Sequence, residues 1–414
     1  MHYFKHSELV DKYHVSLKTV HNWIDAAKNG KVDLKLYREN GRTYIANVAD
    51  NVRIIESLAH NGKKYRNTLH HKVVSPKPEF YNIFDRRKIL DIIRSINIHK
   101  EILDEFNYFD EGAEDWDKWV KRLESDTTPN YLGGTRTLLR ENFATIDKLS
   151  KVYTRVNVID IGAGNGYPVR ELLTYLVEQG KLNKYIAIDI SQDMLNIVER
   201  NIHEWFDGKV KFEGHVRNVT YERFDDVLVD DMLDEQGDQT FNLVLLLGGT
   251  AMNFRSPKAA FQTIYGSMGP DDMLIYVVKP DTDASRRYFD FSQSETGVGA
   301  KNFTPIIELL DIDASLYDLE MGFDEKKHMR YVRMRFKTAL TIEFVLESGK
   351  HSVKFEKGET LLLLRIWHQT PLEIISEFEE VGFTLLHSDL TEDRQFLMTI
   401  SGIEVEKYSN KADH

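Results

Sequence analysis

The chain has 414 residues, 42% hydrophobic and 29% charged, enough for two to three domains whose cores need no covalent staple. It contains no cysteine, which excludes disulfide frameworks, thiolate zinc sites and a cysteine nucleophile; no metal is expected, since the histidines show no ligand spacing. The N-terminal MHYFKHSELV has no apolar signal core, and runs such as Leu243 to Leu247 are far shorter than the roughly 20 residues of a bilayer helix, so a soluble cytoplasmic protein is expected. The net charge of −12 divides unevenly: residues 1–75 hold 13 Lys+Arg against 7 Asp+Glu, a net of +6, and the remainder carries −18. That split points to two modules with different partners.

The first module, residues 1–62, reads as two helices and a hairpin. Ser7 to Tyr13 is a short helix, and His14-Val15-Ser16 is a turn whose serine caps a second helix from Leu17 to Lys28. Leu17, Val20, Ile24 and Ala27 recur there at helical spacing, with Trp23 beside Val20. Leu34 to Tyr37 and Thr43 to Ile45 flank Asn40-Gly41, a hairpin signal. The pattern predicts a winged helix-turn-helix and resembles the winged modules of the mercury-resistance-regulator type. With DNA as partner, the second helix would enter the major groove. Lys18, Thr19 and Asn22 would face the bases, and Arg38 and Arg42 the phosphates.

Residues 63–80 read as a linker: a basic cluster (Lys63, Lys64, Arg66), then Ser75-Pro-Lys-Pro78, expected to be extended. A helical lead-in follows from Phe84 to about Ser150. Strands and helices then alternate, with strands at Val156 to Asp160, Lys184 to Ile190, Lys209 to His215, Phe241 to Leu247 and Met273 to Val278. Thr370-Pro-Leu-Glu373 is a capping box with proline at the first helical position, and that helix ends at Gly382. Two strands close the chain, Phe383 to His387 and Phe396 to Ile400. The alternation predicts an α/β fold, a doubly wound parallel sheet with one antiparallel strand.

The chemistry-bearing motif is the strand-to-helix loop Asp160-Ile-Gly162-Ala-Gly164-Asn-Gly166. Its glycines allow close backbone approach to a ligand, and the following helix offers free N–H groups. Asp189, 23 residues after Gly166, ends the next strand with Ile190 beside it, where a carboxylate accepts both ribose hydroxyls. The spacing G-x-G-x-G and the acid Asp160 favour S-adenosylmethionine over a dinucleotide. Asp160 would repel a pyrophosphate but suits the ammonium of a methionine moiety; alternatively it is a structural acid at a strand end.

From about residue 105 to 403 the chain resembles the histidine Nα-methyltransferases of ergothioneine biosynthesis. The blocks are Tyr108-Phe-Asp110, Tyr131 with Thr135-Arg136, Tyr185 to Ser191, Leu247-Gly-Gly-Thr-Ala-Met-Asn253, Gly297-Val298 with Phe303, His328 to Lys337, and Glu379 to Phe383. The resemblance implies a helical lead-in and class I Rossmann-like methyltransferase core over residues 81–280, a mixed α+β substrate insertion over 281–358, and the end of the core sheet and a tail over 359–414. It also implies S-adenosylmethionine as cofactor, with Gly162, Asp189, Asn218 and Val219 in cofactor roles. Asn253 would hold the amino or carboxylate end of an amino-acid substrate, with Tyr108, Tyr131 and Tyr288 lining its pocket. The family's Asp-Phe pair is Asn218-Val219 here, so the Asn218 amide oxygen is expected to accept from the adenine amine. Pro168 replaces the family's basic residue after the loop. Arg333 stands where the family's imidazole-recognising Glu falls, which favours an acidic acceptor and puts histidine itself in question; alternatively, with Arg330 and Arg335 nearby, it is a solvated strand residue.

The expected function is methyl transfer to the amine of an amino acid or related small molecule, by displacement that relies on alignment and exclusion of water. A tyrosine or carboxylate near Asn253 is a candidate to relieve the amine of its proton. The alternatives are a DNA-binding regulator whose methyltransferase-like domain senses a ligand, and a methyltransferase whose winged helix docks a macromolecule.

Overall fold

A computed structural model describes residues 3–13, 15–39, 41–56, 58–59, 71–107, 111–126, 130–229, 240–288 and 304–403. The chain divides into two units, one of Met1–Val73 with Thr338–Thr341 and Lys354–Lys357, the other of the remainder.

In the first unit β1 (Tyr3–Phe4), α1 (His6–Tyr13) and α2 (Leu17–Lys28) precede a hairpin of β2 (Leu36–Glu39) and β3 (Arg42–Ala46). Ser16 accepts the Thr19 N–H at 3.1 Å and caps α2. Val20, Trp23 and Ile24 bury against Leu9, Tyr13 and Ile45 in one small core. Leu17, expected on that face, is 51% exposed, since it stands at the first helical position. Gly41 turns the hairpin at φ +75°, and Asn40 and His14 lie outside the described residues. Residues 49–56 add a helix absent from the expected pattern; Asn51 ties it to the hairpin through the backbone of Lys35 and Ala46, at 2.7 to 2.9 Å. Lys18, Asn22, Arg38 and Arg42 are exposed, whereas the Thr19 hydroxyl bonds to Ser16 at 2.8 Å.

The linker expectation needs correction. Residues 71–80 contain β4 (His71–Val74) and the start of α3 (Pro78–Ile83). Pro78 is extended-compatible but also suits the first position of a helix, where its missing N–H has no partner to lose. Residues 60–70, including His70, lie outside the described residues. The helical lead-in comprises α4 (Arg86–Arg94), a π-turn Ser95–His99, a 3-10 turn Asp104–Asn107, α5 (Glu111–Glu124), α6 (Tyr131–Glu141) and α7 (Phe143–Leu149).

The main sheet takes β5 (Arg155–Ile161), β6 (Leu182–Asp189), β7 (Phe212–Val216), β8 (Thr240–Leu246) and β9 (Met273–Val278), all parallel. Helices α8 (Arg170–Glu178), α9 (Gln192–Phe206) and α10 (Pro257–Ser267) connect them. After α11 (Asp283–Tyr288), the strands β10 (Tyr317–Asp324), β11 (Met329–Phe336), β12 (Ala339–Leu346), β13 (Gly349–Phe355) and β14 (Thr360–Trp367) form the insertion. β14 pairs with β11 in a sheet ordered β10-β11-β14, so the insertion extends past the expected end at 358. Thr-Leu-Leu-Leu-Leu reads as a core strand from sequence, because an apolar run does not say which sheet buries it. The capping box at Thr370 forms as expected and opens α12 (Pro371–Val381), which ends at Gly382 with φ +112°.

β15 (Phe383–Leu390) and β16 (Leu397–Ile403) complete a seven-stranded sheet, order β15-β16-β9-β8-β5-β6-β7, with β16 antiparallel to both neighbours. This is the class I Rossmann-like arrangement with its one reversed strand. β5, β8 and β9 are buried at nearly every position because both faces are covered. Among the described residues no helix is long and apolar enough to cross a membrane.

Candidate functional site

β5 runs into Gly162, whose φ of +65° favours glycine; a Cβ there would stand 2.5 Å from Thr250 Cγ2. The Gly162 N–H donates to the Ile188 carbonyl at 2.7 Å, tying the loop to β6. At Gly166, φ +77°, a Cβ would reach within 2.8 Å of Val198 Cγ2, so α9 packs directly on the loop. Between them Asn165 is buried. Its amide donates to Asp117 of α5 at 2.8 Å and its carbonyl accepts from Asn201 of α9 at 2.9 Å. Two helices therefore hold the loop's shape.

Asp189 ends β6. Its carboxylate accepts the Ser191 N–H at 3.0 Å and the Gly164 N–H at 3.4 Å. Burial pushes its carboxyl up to about 6, against the pull of those N–H groups. Asp160 accepts the Tyr185 hydroxyl at 2.9 Å, both side chains being buried. Burial pushes its carboxyl up to about 7; the Tyr185 bond opposes this and the Asp189 charge adds to it.

The facing wall comes from the turn after β8. Gly248 and Gly249 lead into a 3-10 turn, Thr250–Asn253. Tyr131, the first residue of α6, lies over Gly249, its Cε1 being 3.4 Å from where a Cβ would stand. Its hydroxyl points to Met252 Sδ at 3.6 Å and its ring meets Phe396 edge-on at 5.7 Å. Burial pushes the Tyr131 phenol up to about 12, with the Arg330 charge opposing this.

One cavity of about 710 Å³ gathers Asp160, Gly162, Gly164, Asp189, Ile190, Asn218, Val219, Tyr131 and Asn253, residues drawn from five separate parts of the sequence. Gly166 supports the loop from behind and is not among the lining residues. Arg333 is not brought to the cavity either. It sits on β11 with its Nε on Glu320 at 2.7 Å and its guanidinium 4.7 Å from the Tyr331 ring centre, so a cross-strand ion pair accounts for it. Tyr108 lies outside the described residues, as do Gly297, Val298, Phe303 and the Tyr288 side chain.

Asn218 also departs from expectation. Its amide oxygen accepts both the N–H and the hydroxyl of Thr220, and its amide nitrogen donates to Glu105 at 3.3 Å. The oxygen expected to meet a ligand amine is thus engaged by the chain itself.

Several lining residues were not anticipated. Trp116 and Trp119 lie on α5 with ring centres 4.7 Å apart and planes tilted by 40°; their three-residue spacing in a helical pattern was the available signal. Ser95 and Arg255 line the cavity too. Behind them buried Glu101 accepts from both Arg255 and Arg365, and Arg255 also reaches Ser95 Oγ at 3.2 Å. Burial, then Arg255, Arg94 and Arg365, hold His99 below its usual range. Among the described residues no group of three or more His, Asp or Glu is arranged to hold a metal ion.

A family model described as histidine-specific methyltransferase, SAM-dependent, matches residues 86–401. Among solved structures the chain is similar to the DhpI–SAM–HEP complex at 14% identity, covering 72% of this chain and 95% of that one, with a TM-score of 0.34. It is similar to the glycopeptide N-methyltransferase MtfA complexed with SAM at 12% identity, covering 67% and 96%, TM-score 0.33. It is also similar to magnesium protoporphyrin IX methyltransferase (ChlM) from Synechocystis PCC 6803 with bound SAH, at 11% identity, covering 77% and 100%, TM-score 0.37. No curated protein matches.

Proposed function

Because this chain belongs to the histidine-specific, S-adenosylmethionine-dependent methyltransferase family, we propose that it methylates the amine of an amino acid or related small molecule. The observation that carries this is the single cavity joining the glycine loop and Asp189 to Asn253 and Tyr131.

The residues fit the cofactor on three counts. Gly162 has no room for a side chain. Asp189 is held by backbone N–H groups at the end of its strand and keeps acceptor positions for ribose hydroxyls. A cavity of about 710 Å³ lies within the range of small-molecule sites. S-adenosylmethionine, when bound, supplies a methyl on a positive sulfur that a neutral amine displaces directly.

The chain's own residues bind, orient and exclude water. Asp189 takes the ribose, the loop backbone approaches the methionine part, and Asp160 offsets its ammonium. Asn253 orients the acceptor's polar end, and Tyr131 forms the wall behind it. Trp116 and Trp119 help keep water from the reacting atoms. With Arg333 engaged by Glu320, its bearing on acceptor choice lapses, and histidine heads the candidates.

The test is transfer of a labelled methyl group to a panel of amino acids and amines, histidine included, after calorimetry with S-adenosylmethionine. Transfer to an amino acid is expected. Failure to bind S-adenosylmethionine would sink the proposal. Binding without transfer to any panel member would favour the ligand-sensing regulator instead.

A further inference from the structure

We propose that Glu105, carried by the lead-in segment and not by the sheet, is the acceptor that fixes the adenine amine of the cofactor, and that Asn218 is its positioning residue. The proposal rests on the cofactor assignment above and deepens it.

The sheet dictates where adenine goes. With ribose at Asp189 on β6, the base extends toward the next strand end, that of β7, about 4.8 Å away. There the Arg217 N–H donates to the Asp189 carbonyl at 2.9 Å, and Asn218 and Val219 follow. Ile190 and Val219 supply apolar surface for the faces of the base; both line the cavity, as do Asn218, Thr220 and Glu105.

An exocyclic amine needs an acceptor. The Asn218 amide oxygen already receives two donors from Thr220, and its amide nitrogen points its hydrogens at Glu105. The amide therefore acts as a relay: Thr220 fixes its orientation, and that orientation holds the Glu105 carboxylate. A carboxylate has roughly four acceptor positions, so it can serve more than one donor, and its charge strengthens each bond. Glu222 is the other acid at this turn. It accepts the Asn218 backbone N–H at 2.7 Å and is not among the cavity's lining residues. Asp91 does line the cavity, from the exposed side of α4.

Nothing in the 3-10 turn Asp104–Asn107 marks Glu105 as a ligand-binding residue; the hydrogen bond spans 113 residues. This arrangement separates the acceptor from the strand end that positions it. The lead-in segment thereby becomes part of the cofactor site.

The test compares two ligands on the full chain by calorimetry: S-adenosylhomocysteine, and S-inosylhomocysteine, in which a carbonyl oxygen replaces the amine. The wild type is expected to prefer the adenine form at least tenfold, the scale of one hydrogen bond to a charged group. Glu105→Ala should bring the two affinities within threefold. Glu105→Gln, which keeps an oxygen acceptor without charge, should fall between. Asn218→Ala should reduce the preference severalfold, and Asp91→Ala should leave it unchanged. A general distortion weakens both ligands together, so the ratio reads the amine edge of the base, where N1 also changes from acceptor to donor. Retention of the tenfold preference in Glu105→Ala would overturn the proposal. So would equal affinity in a wild type that binds S-adenosylhomocysteine, leaving the cofactor assignment intact. A wild type that binds neither ligand would overturn both.

Discussion

Gly162→Ala tests whether the loop's shape depends on what stands opposite it. The substitution has two separable penalties. An L-residue held at φ +65° is disfavoured by roughly 1–2 kcal/mol. The new methyl also meets Thr250 at 2.5 Å (Cγ2) and 2.6 Å (Oγ1), an overpacking that typically costs about 1–3 kcal/mol. Together these give a loss of roughly 2–5 kcal/mol, with the loop or the 250–253 turn displaced. Thr250→Ala removes both offending atoms and leaves only Thr250 Cβ, at 3.1 Å. In a double-mutant cycle the pair should therefore regain the packing share while the backbone share persists, a favourable coupling of about 1–3 kcal/mol. Urea denaturation of the four proteins measures it, with S-adenosylhomocysteine titration as a second readout. Zero coupling, or a Gly162→Ala variant as stable as wild type, would refute the opposed-wall account of this site.

Four further outcomes follow from the structure. Asp160 sits at about 7 when folded against an ordinary 3.8, so between these values the folded chain holds a proton that the unfolded chain has released. Stability from this group falls as pH rises from about 4 to about 7 and is flat above. The stability of Asp160→Asn relative to wild type should climb across that window; a pH-independent difference in urea midpoints would contradict this. With its phenol raised to about 12 by burial, Tyr131→Phe should keep the wild-type pH profile of kcat from pH 7 to 10 and lose less than about tenfold in rate; a hundredfold loss would assign the phenol a proton-transfer role. Glu101→Gln leaves Arg255 and Arg365 without their shared carboxylate and should destabilise by roughly 3–5 kcal/mol in urea; a loss under about 1 kcal/mol would count against a buried network. If the first unit contacts duplex DNA, anisotropy should show an affinity that falls with salt and is weakened by Lys18→Ala/Arg38→Ala/Arg42→Ala; equal binding by the triple variant removes those residues from the contact.

Local features of the sequence carried most of the fold. Ser16, the Thr370 capping box, Gly382 and the apolar runs of β5, β8 and β9 each declare themselves within a few residues, because caps and periodicity are short-range. The acid at Asp189 and the glycine loop were legible for the same reason. Harder to see were partnerships made only by folding. Asn165 meets Asp117 across 48 residues, Asn218 meets Glu105 across 113, and Arg365 meets Glu101 across 264. Arg333 is the converse case: sequence left it open between a substrate contact and a strand-face residue, and its partner, Glu320, lies on the adjacent strand.

The reversed strand β16 sets an order of assembly. It is the hydrogen-bonded neighbour of β9, and Phe396, just before it, is the residue against which Tyr131 and Gly134 of α6 pack. On a ribosome adding roughly 5–20 residues per second, the stretch from Val278 to Leu397 takes on the order of 6 to 24 s. During that time the strands carrying the glycine loop and Asp189 already exist, while β9, apolar at every position from Met273 to Val278, has an open edge. The nascent protein thus passes through a stage in which the glycine loop and Asp189 are in place while Tyr131 lacks the backing of Phe396. Its need for chaperone cover should be greatest then and should end when the last hairpin docks.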